Sequence, residues 1–195
     1  MAEYNYYEDR LFENLNLLDS TAENIEFESC TFKNCRFENT LVKKVKFSLC
    51  TFDSCSIINP NDDNSVLVSC NFKGCALYGV NWLSLCSSGR FAKPVEAFKN
   101  CNLKYNTFAN MNFRRFDFKG NSISVTLFAE CDLSDASFYG CDLAKTEFFK
   151  CDLKKCDFRD AYGYRIDVLT NSLKGARFCY PEVSNLFESL EIVIE

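Results

Sequence analysis

Cysteine is the residue type with the most chemistry to offer in this chain, which has thirteen cysteines and no histidine in 195 residues. Eleven of them are regularly placed. Cys30, Cys50 and Cys70 stand twenty residues apart, as do Cys35, Cys55 and Cys75, and Cys101, Cys131, Cys141, Cys151 and Cys156 continue the series. Disulfides and zinc are the two chemistries that such a count suggests. Yet there is no C-x-x-C pair, and without histidine the spacing of a zinc knuckle is missing. The regular cysteines therefore read as small apolar filler. Cys86 and Cys179 fall outside the series and are the candidates for exposed thiols.

Catalysis finds little to work with. The usual general base is absent, and with it the Ser–His and Cys–His pairings. No glycine-rich phosphate loop occurs among seven glycines. The acids of the second half, Asp132, Asp142, Asp152 and Asp157, fall mostly at multiples of five residues. In that arrangement they face outward, and nothing suggests a closed pocket. The chain reads as a non-enzyme with no cofactor and no metal.

The same period of five governs the apolar residues. Between Cys131 and Phe158 the centres Leu133, Phe138, Leu143, Phe148, Leu153 and Phe158 each follow a small residue two positions earlier. A comb of five runs from Phe12 through Phe32, Phe52 and Phe72 to Trp82, and among its teeth only Asp62 is not apolar. It resumes one residue out of phase at Phe98 and runs to Phe178, with Gly163 its only failure. Five is neither the helical period nor that of a ladder strand. A fixed repeat of this kind signals a solenoid.

Small, then Asp or Asn, then Leu or Phe, then two polar residues is a pattern that resembles the pentapeptide-repeat family. The resemblance implies an all-β fold, a right-handed quadrilateral β-helix in which four pentapeptides make one coil. Thirty-two teeth then give about eight coils. Each central residue and the small one before it would point inward, each coil would bury its neighbours, and the end coils would require caps. The expected division is an N-terminal cap over 1–11, the repeat over 12–178 with a loop at 83–97, and a C-terminal capping or dimerisation module over 179–195.

Three irregular places carry the functional information. At Asn59–Ser65 the turn-forming cluster around Pro60 and Asp62 predicts a corner that bulges outward. At 83–97 the sixteen steps from Trp82 to Phe98 amount to three repeats plus one residue. A projecting loop is expected there, with Arg90, Phe91 and Lys93 as partner-binding residues. In the tail, Pro181 and Glu182 suit a helix start, and Val183, Leu186, Phe187 and Leu190 form one helical face. Ile192 and Ile194 then alternate as a short strand. These six apolar residues are the candidate dimer interface across a two-fold axis.

The tail, from Tyr164-Arg165-Ile166-Asp167 to Leu190, and the segment Tyr78-Gly79-Val80-Asn81-Trp82 are similar to the albicidin- and quinolone-resistance branch, the Qnr-type proteins. That resemblance implies a homodimer joined through the C-terminus. It also implies a DNA mimic that binds DNA gyrase or topoisomerase IV and protects the enzyme from inhibitors, giving antibiotic resistance. The net charge is −5. Residues 1–30 alone contribute −7, with Glu13, Asp19, Glu23, Glu26 and Glu28 as the candidate acidic end. An acidic end steers toward basic DNA-binding proteins and away from nucleic acid itself. The polar opening MAEYNYYEDR and the lack of a ~20-residue apolar run point to a cytoplasmic, non-membrane protein. The other reading is a structural or adaptor solenoid, or an effector, that binds an unrelated protein.

Overall fold

In a computed structural model that describes residues 5–86 and 93–190, the chain forms two compact units, Met1–Asn102 and Leu103–Glu195. Each is built of parallel coils, about eight between them. In the first unit most pentapeptides make a short strand, two merging in each of Thr21–Glu28 and Leu41–Ser48, and most strands pair in parallel with the one twenty residues on. Phe12 lies beside Phe32 and Phe32 beside Phe52, Leu17 lies beside Phe37, and Phe27 beside Phe47. The first strand, Asn5–Glu8, pairs with Ile25–Glu28, so Tyr7 already occupies an inward tooth and stacks on Phe27 at 5.4 Å. The coil thus begins inside the segment 1–11.

Corners explain why five residues suffice for a side. The second residue after most centres adopts a left-handed backbone, with φ between 45° and 59° at the non-glycine positions. Asn and Asp hold many of these corners, because their short polar side chains tolerate that conformation best. In the second unit most sides shrink to single bridges, such as Asn112 with Asp132 and Asp132 with Asp152. The cause is local. Asp132, Asp142 and Asp152 each accept the backbone N–H two residues on at 3.0–3.1 Å, which bends the chain into an Asx turn before a longer strand forms.

Aromatic stacks fill both cores. Phe32 and Phe52 lie 5.0 Å apart at 11°, Phe118 and Phe138 4.7 Å apart at 4°, and Phe138 and Phe158 5.2 Å apart at 4°. Phe32, Phe52, Phe72, Trp82, Leu133, Phe138, Leu143, Phe148, Leu153 and Phe158 are all buried. The eleven regular cysteines are buried as well. Their thiols donate to backbone carbonyls of the preceding coil, as Cys55 does to Phe32 O at 3.3 Å and Cys156 to Leu133 O at 2.8 Å.

Four places depart from the sequence expectation. Asn61–Asp63 is a strand in register with Leu41–Lys43, not an outward corner, because Asp62 bonds the Ser65 N–H at 2.9 Å and keeps the chain on the coil. The coil containing Trp82 is six residues longer than a regular one, since Phe72 pairs with Phe98. In the second unit, Glu147 pairs with Arg165 but Asp152 pairs with Ser172, so one side loses two residues and the next gains two. Ile166, not the comb tooth Val168, is consequently the buried residue there. Last, Glu182–Leu190 is a 3₁₀ helix. With three residues per turn the expected α-helical face splits. Leu186 is buried and Val183 half-buried, while Phe187 and Leu190 are 39% and 38% exposed.

Candidate partner-binding surfaces

The loop at 83–97 is anchored at both ends. On its near side Trp82 is buried edge-on between Phe72 (5.5 Å) and Phe98 (5.1 Å). The chain then turns through Leu83–Leu85, where Leu85 O accepts the Leu67 N–H at 2.9 Å. On its far side Lys93 O and Pro94 O accept from Ser69 and Cys70, and the Lys93 ammonium pairs with Glu96 at 2.7 Å. Arg90 and Phe91 lie outside the described residues.

The acidic end is not a block of unpaired charge. Because residues twenty apart are neighbours, Glu13 meets Lys33 at 3.5 Å, Glu23 meets Lys43 at 2.9 Å and Glu26 meets Lys46 at 2.6 Å. Asp19 accepts from Asn39 Nδ2 at 3.0 Å, and Glu28 accepts from the Tyr6 hydroxyl at 2.8 Å. That bond to Glu28 pushes the Tyr6 phenol well above its ordinary pKa, and the Lys43 ammonium holds Glu23 below its own. Exposed pairs of this kind add little to stability. Their larger effect is on the surface, where they replace an acidic patch with alternating charge.

The 3₁₀ helix is held to its own unit mostly by polar groups. Glu182 accepts from the Gly163 N–H at 3.2 Å and from Asn185 Nδ2 at 3.0 Å, and the Ser189 hydroxyl accepts from the Val168 N–H at 3.3 Å. Phe187 and Leu190 are left facing outward. Ile192 and Ile194 lie outside the described residues.

A further surface was not singled out from the sequence. Tyr139 is flanked by Lys119 at 5.1 Å and Arg159 at 5.8 Å, both over its ring. Arg159 also makes a two-point bond to Asp157 at 2.9 and 2.8 Å, and Asp157 reaches Arg177 at 3.2 Å. The Arg159 hydrogen bond holds Asp157 below the ordinary carboxylate range. Lys119, Tyr139 and Arg159 are twenty apart and each follows a comb tooth, so writing the sequence in rows of twenty would have aligned them.

Four thiols, Cys30, Cys86, Cys141 and Cys156, are chemically quiet, whereas hydrogen bonds with Cys50, Cys101 and Cys131 lower the pKa of Cys70, Cys75 and Cys151. Burial pushes Cys141 and Cys156 up to about 12 and also raises Cys30 and Cys86. A thiol held protonated is a poor nucleophile and a poor metal ligand. Cys86 and Cys179 are half-buried. Among the described residues no three cysteine or carboxylate side chains are placed to hold a metal ion, and no helix is long and apolar enough to cross a membrane.

Comparison with known proteins bears on the fold. No curated protein matches the chain by sequence. HetL, a pentapeptide repeat protein involved in heterocyst differentiation regulation in the cyanobacterium Nostoc, is 14% identical. The match covers 87% of this chain and 85% of HetL, with a TM-score of 0.52. QnrB1, a plasmid-mediated fluoroquinolone resistance protein, is 18% identical in its trypsin-treated form. That match covers 94% of this chain and 99% of QnrB1, with a TM-score of 0.48. The family profile described as pentapeptide repeat region matches residues 96–168. Residues 96–168 are therefore a pentapeptide repeat region, and the coils that contain them have the fold of the pentapeptide-repeat β-helix.

Proposed function

We propose that this protein acts by binding another protein through the sides of its coils, and that the partner is a type II topoisomerase, DNA gyrase or topoisomerase IV, which it shields from inhibitors. The observation that carries the first half is the arrangement of the surface. The cores are filled with side chains save for one small hollow in the first unit, and the outward residues stand in straight columns at coil spacing, as in Lys119–Tyr139–Arg159. Such columns suit recognition and offer no catalytic cluster. The choice of topoisomerase rests on the resemblance of residues 78–82 and 164–190 to the Qnr-type branch. Phe187 and Leu190, outward on the terminal helix, support pairing of two copies.

Gyrase supercoiling with the purified protein, with and without a fluoroquinolone or albicidin, tests the reading. Supercoiling restored under drug supports protection. Inhibition without rescue leaves binding but removes protection. No effect at micromolar protein overturns the choice of partner. The lysine partners of Glu13, Glu23 and Glu26 favour a second reading, an adaptor that binds an unrelated protein, since they weaken the likeness to a duplex with one charge per ~1.7 Å. Co-purification with a partner other than a topoisomerase would favour it.

A further inference from the structure

One side of the first unit is built from smaller inward residues than the other three. Its column runs Ala22, Val42, Asp62, whereas the others carry Phe32–Phe52–Phe72, Phe37–Ile57–Leu77 and Phe27–Phe47–Leu67. Short side chains do not reach the coil axis. A hollow of about 70 Å³ remains, walled by Val42, Phe47, Phe52, Leu67, Phe72 and Trp82. Pro60, Asn81 and Ser84 also line it.

Asp62 belongs to the wall of this hollow. One of its oxygens accepts the Ser65 N–H at 2.9 Å, while the Ser84 hydroxyl donates to Asn81 O at 2.9 Å. Lys43 pairs with Glu23, Lys46 with Glu26 and Lys73 with Asp53. Among the ion pairs of the described residues none includes Asp62. The site therefore has two deficits. Its apolar lining lacks partner atoms on one side, and its half-buried carboxylate makes no ion pair.

One occupant meets both. We propose that this hollow binds a small alkylammonium ion, with the ammonium nitrogen on the Asp62 carboxylate and the carbon stem against Phe52, Phe72 and Trp82. At ~10–15 Å³ for each enclosed water-sized group, the space holds about five such groups, an ammonium and a stem of about two to four carbons. A neutral alcohol of the same length fills the void and leaves the charge unpaired. A bare ammonium ion pairs the charge and leaves the void. The site thus discriminates by requiring both halves of the ligand.

Trp82 is the chain's single tryptophan, so its emission reports on the wall directly. The full-length protein is titrated with propylammonium chloride, 1-propanol and ammonium chloride, following Trp82 emission and Tm. Propylammonium is expected to give a saturable emission change and a rise in Tm, with the other two at least about tenfold weaker. Asp62→Asn is expected to lose at least about tenfold in propylammonium affinity, and Val42→Phe, which fills the hollow, to abolish binding. A response to propylammonium no stronger than to propanol overturns the proposal, as does the absence of a saturable change. So does an Asp62→Asn protein that binds as tightly as the wild type, which keeps the test decisive should Val42→Phe fail to fold.

Discussion

Phe72 stacks on Phe98, twenty-six residues along the chain, at 5.6 Å and 30°, whereas Phe52 stacks on Phe72, twenty residues away, at 4.9 Å and 8°. The looser stack marks where the long coil rejoins the regular one. Leu67 bridges to Cys86, nineteen residues on, and Cys70 pairs with Val95, twenty-five on. A bulge at Glu96 then brings Asn71 opposite Ala97. The insertion is therefore six residues between Cys86 and Val95, and the bulge restores the phase.

Deleting Ser87–Ala92 returns the spacing to that of a regular coil. The variant is expected to fold with a Tm within about 4 °C of the wild type, since surface insertions change loop-closure entropy only slowly with length. If the loop carries partner binding, gyrase protection falls while thermal unfolding does not. Calorimetry beside the supercoiling assay separates the two.

Asp62→Leu restores an apolar tooth where the comb fails. Filling the hollow and removing a half-buried carboxylate is expected to stabilise the protein by about 1–2 kcal/mol, at the cost of alkylammonium binding. The pH dependence has a definite sign. Burial raises the folded pKa of Asp62, so the folded state holds its proton more tightly than the unfolded chain. Wild-type stability relative to Asp62→Asn should therefore increase as pH falls through that raised pKa and decrease as pH rises. Urea unfolding of both proteins between pH 3 and 7, spanning the ordinary carboxylate value of about 3.9, measures it.

Val125 occupies a corner at φ 49°, where a β-branched side chain is strained. Val125→Asn is expected to stabilise by about 1 kcal/mol, because Asn holds many of the equivalent corners. Urea unfolding with an unchanged m-value checks it.

Much of this was legible in the sequence, and the exceptions have physical causes. The comb of five placed Phe32, Phe138 and the regular cysteines inside, because an inward side chain every fifth residue admits few other folds. A comb registers position only modulo five, however, so it read the six-residue insertion as a shift of one. The acids of residues 1–30 were counted as a block because sequence neighbours were compared. Glu23 and Lys43 are neighbours only across a coil. The face over Val183–Leu190 was drawn with a helical period of 3.6, and the tighter 3₁₀ winding turned Phe187 away from Leu186. Val168 fit the comb by arithmetic and lost its place to Ile166, since no periodic rule registers two residues passing from one side to the next.

Asp157 ties two coils of the second unit together through Arg159 and Arg177. Asp157→Ala is expected to destabilise by about 1.5–3 kcal/mol, the range for hydrogen bonds to charged groups. Its folded pKa is lowered, chiefly by the Arg159 hydrogen bond. This contribution is therefore present above the unfolded value of about 3.9 and is lost as pH falls through the lower folded pKa. Acid titration of wild type against Asp157→Asn, followed by circular dichroism, should show the two curves converging at the acid end.

If two copies pair through the terminal helix, Phe187→Glu places a charge in the apolar contact on both sides at once. A dimeric wild type and a monomeric variant with unchanged circular dichroism are the expected results by light scattering. A variant of unchanged mass moves the self-contact away from this helix.

The cysteine columns make the protein its own clock of local opening. Each regular thiol sits at a known height in its unit and is shielded from solvent, so a thiol reagent labels it only when that coil separates from its neighbour. Pulsed alkylation followed by peptide mass spectrometry would yield one opening rate per cysteine. Because coils lean only on adjacent coils, those rates would show whether each unit frays from an end or parts in its middle.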